Sequence, residues 1–203
     1  IVKFLPDRYV LGTCPNCGNE DARGDQCDSC GSTYEAHELR NPRSKSNPKA
    51  DIEIRDTDHL FYQLNEFQSD LTTHASSRQN TWKPNVKAMT KNWLNMGLRP
   101  RAVTRDLEWG IEVPINNQEW GDKRIYVWFE AVQGYLSCAK IWSERYAQEH
   151  PDGDSAWENW WIDKPGQSLK HIYFMGKDNI PFHTIIWPAI LMGLNKSRGP
   201  NKQ

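Results

Sequence analysis

The chain has 203 residues, 25 basic and 26 acidic side chains for a net charge of −1, 37% hydrophobic residues, 11% aromatic residues and ten Trp. That length can bury a sizeable core, and the aromatic content excludes a disordered chain. The balanced charge excludes no class of partner; it only confines any basic surface to a local patch. No apolar run reaches the roughly 18 residues that a spanning helix needs, and Ile1–Asp7 lacks the long apolar stretch of a secretory signal. The chain starts on Ile rather than Met, which raises the expectation that it begins inside a longer gene.

Pro6-Asp7 marks a turn, and Arg8–Val10 reads as a short extended piece. Cys14, Cys17, Cys27 and Cys30 then follow one another as C-x2-C-x9-C-x2-C, each pair closed by a glycine, Gly18 or Gly31. A lone C-x-x-C is ambiguous between redox chemistry and metal. Two so close together point to a tetrahedral thiolate site, with the glycines allowing the tight turns. Four thiolates close the coordination of a zinc ion, so the site is expected to be structural. The alternative, two disulfides in a secreted domain, leaves one of the five Cys over. Residues 14–31 are too poor in apolar side chains to fold without the metal.

Residues 40–51 read as a loop, His59–Leu64 as strand-like and residues 65–76 as a weak helix. Pro84 opens a better helix, with Val86, Met89, Trp93 and Leu94 on one face and Gly97 at its end. Lys83, Lys87, Lys91, Arg99, Arg101 and Arg105 form a basic stretch without an acid, read either as a solvated face or as a phosphate-facing stripe. Arg124–Trp128 has the nearly continuous apolar pattern of a buried parallel strand, and a helix is expected from about Phe129 to Tyr146. Cys138 reads as a small buried hydrophobe. Pro151–Asp154 is a loop, Ala156–Trp161 a short helix and His171–Met175 a second buried strand. Gly176–Asn179 turns the chain into a helix running to about Met192. Strand–helix twice over predicts an α/β fold, part of a Rossmann-type parallel sheet with a small zinc-knuckle insertion.

In such sheets ligands sit beyond the carboxyl ends of the strands. Gly176, Lys177 and Asp178 lie at one such end, where free amides attract anions or hydroxyls and Asp178 either accepts from a ribose or caps the helix. Trp128, Tyr135 and His183 either line one apolar pocket, suited to a thioether, or simply pack in the core. Arg105 either holds a phosphate or carboxylate or forms a surface ion pair. The chain has no phosphate loop of the G-x-x-x-x-G-K-[ST] type, no G-x-S-x-G and no H-E-x-x-H.

Five segments together resemble the methionyl-tRNA synthetases, a family of class I aminoacyl-tRNA synthetases. They are Leu5–Gly18, Asp21–Gly31, Thr104–Gly110, Tyr126–Tyr135 and Phe174–His183, in the family's order. The resemblance implies a Rossmann catalytic domain interrupted by a zinc-bearing connective insertion. Residues 1–110 would be that insertion and its return, residues 111–194 the second half of the Rossmann domain, and residues 195–203 a divergent or truncated tail. It further implies that Trp128, Ala131, Val132, Tyr135, Asn179 and His183 bind methionine. Gly176, Lys177 and Asp178 would bind the adenosine side of ATP, Arg105 would serve catalysis on ATP or the adenylate, and Cys14, Cys17, Cys27 and Cys30 would hold zinc. The implied activity is a methionine–tRNA ligase of the cytoplasm, using ATP with Mg2+ and charging tRNA(Met).

Two departures accompany the match: Glu130 stands where the family usually has Asp, and Gln133 where an apolar residue is common. The family's HIGH and KMSKS signatures do not occur in these residues, so the segment alone is expected not to activate methionine. A non-catalytic zinc-ribbon RNA-binding or scaffold protein derived from a synthetase is the alternative. A synthetase for leucine, isoleucine or valine would need an editing insertion, for which Cys30–Arg105 leaves no room.

Overall fold

In the computed structural model the described residues are 5, 7–115, 120–151 and 156–198. Pro6, most of the expected 151–154 loop and the end of the expected tail lie outside them. The chain divides into two compact units: residues 1–63 with 99–126, and residues 64–98 with 127–203.

The first unit is a set of small antiparallel sheets. β1 (Val10–Thr13) is the middle strand of three, between β2 (Ala22–Arg23) and β3 (Arg40–Ser44). β3 lies within the stretch expected to be a loop. Its Pro42 lacks an amide donor, which an edge strand tolerates and a central one does not, so the turn-like composition hid a real edge. Asp7–Tyr9 forms a 3-10 turn rather than an extended piece. The core here is small: Val10, Cys14, Ala22, Cys27, Tyr34 and Leu39, with Leu5 and Cys30 packed against it. β4 (Phe61–Tyr62) pairs with β5 (Arg101–Ala102), and β6 (Thr104–Asp106) with β7 (Lys123–Ile125). Arg105 faces Arg124 in that register.

A charged network ties the β6–β7 hairpin to residues 57–60. Lys123 Nζ lies 2.5 Å from Asp106 Oδ1 and also donates to Thr57 Oγ1. Asp106 Oδ2 is 3.5 Å from His59 Nε2, and His59 Nδ1 is 2.9 Å from Thr104 Oγ1, which also accepts from the Leu60 amide at 3.1 Å.

The second unit is helical. A 3-10 turn (Leu64–Phe67) leads into α1 (Gln68–Ser77), which packs against α2 (Pro84–Met96). Pro84 sits in the first turn and Gly97 closes the helix at φ 79°, both as the sequence predicts. Gln68 fastens the pair: its amide donates to Leu94 O at 3.1 Å and its carbonyl accepts from the Leu98 amide at 2.9 Å. α3 (Val127–Glu130), a 3-10 turn (Ala131–Gln133) and α4 (Gly134–Glu149) follow, then α5 (Glu158–Trp161).

α6 (Trp187–Arg198) is preceded by a π-helical turn over Phe182–Ile186. Pro188 explains that turn. It has no amide for Thr184 O, and its ring would crowd that carbonyl, so the coil widens before it and the Trp187 amide reaches back to Phe182 O. The core includes Leu64, Leu71, Val132, Ile180, Ile185, Trp187 and Ala189. Thr90 and Thr184 are buried among such residues as a hydrogen-bonded pair at 2.9 Å, each hydroxyl also serving its own helix.

The α/β class and the cysteine-knuckle insertion are as expected, but the strands are drawn differently. β7 stops at Ile125 and pairs antiparallel with β6, so Trp128 opens a helix instead of ending a strand. His171–Met175 is extended without a ladder among the described residues, and Ile172 and Phe174 are 65% and 95% exposed. Apolar alternation marks a chain ready to pair, whereas a ladder also needs a neighbour. Cys138, expected to be buried, is exposed.

Candidate functional site

The cysteine knuckles are two copies of one local structure, thirteen residues apart. In the first, the Cys14 amide donates to Asn19 O at 2.8 Å and the Gly18 amide to Cys14 O at 3.1 Å. In the second, the Cys27 amide donates to Ser32 O at 2.9 Å and the Gly31 amide to Cys27 O at 2.8 Å. Gly18 and Gly31 lie at φ 77° and 75°, the left-handed region that penalises a side chain.

The four Sγ atoms lie within 4.8 Å of one another. Cys14 and Cys30 are 3.9 Å apart, and Cys17 and Cys27 3.6 Å. A disulfide would need about 2.05 Å, whereas a zinc ion bonded to four sulfurs at ~2.3 Å sets them ~3.8 Å apart. The spacing and the all-thiol donor set fit a metal ion. Asn19 Nδ2 reaches Cys27 Sγ at 3.7 Å, and Ser32 Oγ lies 3.2 Å from Cys30 Sγ. Burial opposes a thiolate at Cys30, but the Ser32 hydroxyl and amide and the thiols of Cys17 and Cys27 outweigh it and bring the group down to about 6.

Arg105 is in the same unit as the knuckles. Its Nε and Nη2 donate to Asp7 Oδ2 at 3.1 and 2.6 Å, and its Nη1 to Ala102 O and Thr104 O at 3.1 and 2.8 Å. The guanidinium also lies 4.0 Å from the centre of the Tyr126 ring. Four of its five N–H groups are thereby engaged. Burial, then the nearby Asp25 and Asp7 carboxylates, push the Tyr126 hydroxyl up to about 12, with Arg105 and Arg8 opposing. Asp25 is itself raised, by burial and by Asp7.

The second unit holds the expected pocket residues. Trp128, on α3, lies 5.2 Å from Phe182 with the rings tilted by 30°. Val132 is buried, Ala131 exposed and Gln133 half-buried in the following 3-10 turn, with Glu130 half-buried just before it. Tyr135, in the first turn of α4, places its hydroxyl 2.8 Å from His183 Nε2. His183 Nδ1 is 2.8 Å from Asn179 O. A carbonyl only accepts, so Nδ1 carries the hydrogen; in the neutral ring Nε2 is then the acceptor, and the Tyr135 hydroxyl donates to it.

The adenosine-side candidates line a short 3-10 turn, Lys177–Asn179, entered through an extended Gly176 at φ −71°, ψ 163°. Gly176, Lys177 and Asp178 are exposed, and Asp178 provides no side-chain cap. The structure thus joins Tyr135, Asn179 and His183 through hydrogen bonds and sets Phe182, the neighbour of His183, against Trp128.

The sequence did not single out Phe182, His171, Tyr173, Trp161 or Trp187, yet they extend the same cluster. Tyr173 stands edge-on to Tyr135 at 5.1 Å and lies 5.3 Å from His183; Trp161 lies 4.6 Å from His171 and 6.1 Å from Trp187. The available signal was alternation: with Ile172 and Phe174 facing out, His171 and Tyr173 face the other way.

Comparison with known proteins decides the family, because the model for class I tRNA synthetases (M) matches residues 1–202. The chain belongs to that family. Relatives include the methionine–tRNA ligase of Roseiflexus sp. (strain RS-1), 50% identical over 94% of this chain and 32% of its own length. The methionine–tRNA ligase of Picrophilus torridus is 49% identical over 94% of this chain and 26% of its own. The chain therefore spans about a third or less of the curated relatives it matches. The apo methionyl-tRNA synthetase of Mycobacterium tuberculosis aligns with a TM-score of 0.49 at 24% identity, over 66% of this chain and 24% of that one. As a class I synthetase segment, the chain presents a cysteine site that fits a metal and an aromatic cluster centred on Tyr135 and His183. Among the described residues no helix is long and apolar enough to cross a membrane.

Proposed function

We propose that the chain is the part of a methionine–tRNA ligase that grips the methionine side chain and the adenosine of ATP. The observation that carries this reading is the Tyr135–His183 hydrogen bond at 2.8 Å, set among aromatic rings. A thioether is polarizable and only weakly accepting, so it favours aromatic faces and edges with one polar contact over a strong donor array. Trp128, Ala131, Val132, Tyr135, Asn179 and His183 are assigned to methionine, with Phe182 backing Trp128. Gly176, Lys177 and Asp178 are assigned to ATP, the exposed carboxylate of Asp178 accepting from ribose hydroxyls. Arg105 is assigned to ATP or the adenylate. It keeps one N–H uncommitted, so a bidentate grip on a phosphate requires it to give up part of its hold on Asp7.

In the reaction, a methionine carboxylate oxygen attacks the α-phosphorus of ATP in line. The bond to the bridging oxygen breaks and pyrophosphate leaves; Mg2+, when bound to the phosphates, would balance its charge. A terminal hydroxyl of tRNA(Met) then attacks the methionyl carbonyl carbon, loses its proton and releases AMP. Side chains act by positioning and charge stabilisation, with no protein nucleophile. Zinc on Cys14, Cys17, Cys27 and Cys30 would be structural, holding both knuckles together. The domain reading assigns residues 1–110 to the connective insertion and return, residues 111–194 to the second half of the Rossmann domain and residues 195–203 to a tail. Support comes from Ile172 and Phe174, whose exposed apolar side chains suit a strand that pairs with another part of the protein. The working compartment is the cytoplasm, where free thiolates persist.

Methionine-dependent ATP–pyrophosphate exchange by the full-length product of the gene tests the reading. Trp128→Ala is expected to raise KM for methionine about thirtyfold, the loss of about 2 kcal/mol of ring contact, with a smaller change in kcat. An unchanged KM overturns the pocket assignment.

A further inference from the structure

We propose that Tyr173 is a positioning residue that holds the Tyr135–His183 pair in its ligand-reading geometry. The inference rests on the methionine reading of that pair and extends it to a residue outside the pocket assignment above. Tyr173 packs against both members at once. Its ring stands edge-on to Tyr135 at 5.1 Å with planes at 62°, and lies 5.3 Å from His183 at 55°. These are separations at which aromatic pairs attract.

The Tyr173 ring is anchored from the far side. Trp187 Nε1 donates to its hydroxyl at 3.2 Å, and His171 Nδ1 lies 3.3 Å from the same oxygen. His171 Nε2 is in turn 2.7 Å from Trp160 O. That carbonyl only accepts, so Nε2–H donates to it; in the neutral ring Nδ1 is then an acceptor, and the Tyr173 hydroxyl donates to it. The hydroxyl therefore gives one hydrogen bond and receives another, which fixes the ring's rotation. Trp187 is 3% exposed and opens α6, so the anchor is seated in the core.

Tyr135 is 43% exposed and, among the described residues, has only the His183 bond to orient its hydroxyl. Without an edge-on neighbour its ring is free to swing on α4. His183 would then lose the donor to its Nε2, while the Asn179 carbonyl still holds the hydrogen on Nδ1. Tyr173 thus couples the rigid start of α6 to the one hydrogen bond on which thioether recognition depends.

The test uses the full-length gene product, with Tyr173→Leu removing the ring and Tyr173→Phe removing only the hydroxyl. Two readouts are taken: exchange kinetics, and the 15N shifts of the two His183 ring nitrogens, which report whether Nε2 still accepts a hydrogen bond. Tyr173→Leu is expected to raise KM for methionine about tenfold, or about 1.4 kcal/mol, with kcat within about twofold, and to move the His183 Nε2 shift as that nitrogen loses its hydrogen-bond donor. Tyr173→Phe is expected to raise KM about threefold and to shift the Trp187 indole N–H resonance. Unchanged His183 shifts in Tyr173→Leu overturn the proposal. So does a fall in kcat that tracks lowered thermal stability at constant KM, the mark of a merely structural role. If Tyr173→Leu does not fold, Tyr173→Phe decides: no change in KM or in the indole resonance refutes it. Absence of methionine-dependent exchange in the unmodified protein strikes the methionine reading instead, and the His183 shifts still judge Tyr173.

Discussion

The two units solve the same stability problem with different materials. The first has six buried residues at its core cluster, two of them cysteines of the knuckles. Among the described residues it contains seven ion pairs between permanently charged groups, from Arg23–Asp28 to Arg124–Glu112, and a His59–Asp106 contact, against one, Lys196–Asp70, in the second. The second unit buries Leu64, Leu71, Ile180, Ile185, Ile186 and Ala189, and runs a chain of ring contacts from Tyr135 to Trp161. A unit poor in apolar surface must draw on coordination and charge, which depend on solution conditions. One with a hydrocarbon core depends on them little.

The sharpest way to break this comparison is to take away the metal. Ligation by four thiolates contributes on the order of 10 kcal/mol to small zinc modules, more than the first unit's core can replace. Chelation, or Cys14→Ser, is expected to abolish hydrogen-exchange protection over residues 10–44 and to leave α1, α2 and α6 protected. Elemental analysis should find about one zinc per chain before chelation and none after. Retained protection of residues 10–44 in metal-free protein would show that the small core suffices.

A smaller effect separates charge from packing inside the fold. Lys123 and Asp106 have side chains only 9% and 16% exposed. Removing one partner of a buried pair leaves the other charged and uncompensated, which costs roughly 3–5 kcal/mol. Lys123→Met should therefore destabilise the first unit by about that much, read from denaturant midpoints. The double change Lys123→Met with Asp106→Leu should recover most of the loss, because it removes both desolvated charges. In the second unit Ile185→Ala is expected to cost roughly 2–5 kcal/mol through a cavity, and no change of charge nearby should rescue it. Equal destabilisation by the single and double changes would refute the view that the first unit depends on paired charge.

The same contrast explains what was legible in the sequence. The knuckles were legible in full, because four Cys and two Gly at fixed spacing leave one local geometry. Pro84 and Gly97 fixed α2 in the same local way. Tyr135 and His183 were singled out as candidates, but their hydrogen bond spans 48 residues and no spacing rule predicts it. β3 was missed because an edge strand tolerates Pro42, and turn composition outweighed its pairing. The strands expected at 124–128 and 171–175 were misjudged for one reason: a run of apolar side chains reports what must be covered and says nothing about what covers it. Tyr173 went unnoticed because its role comes from Trp187 and His171 on its far side.

The smallest predicted effect is a pH dependence that should differ between the units in origin. His59, in the first, is held below its usual value by burial and by the charges of Lys123 and Arg105, against the opposing pull of Asp106 and Asp7. His74, in the second, is lowered by burial and by Arg78. In both, the unfolded chain takes up a proton at a pH where the folded one does not. Stability is therefore full above about pH 6.5, the unfolded imidazole value, and falls as the pH drops from there toward the folded value. Metal ligation by thiolates also weakens in acid, so the comparison must be differential. His59→Gln should flatten the slope of denaturant midpoint against pH between about 7.5 and 5.5 for the first unit alone, and His74→Gln for the second alone. Raising the salt should change the His59 contribution, which includes four neighbouring charges of both signs, more than that of His74, which has one. If the two histidines respond equally to salt, charge does not distinguish the surroundings of His59 from those of His74, and the contrast between the units rests on the metal site alone.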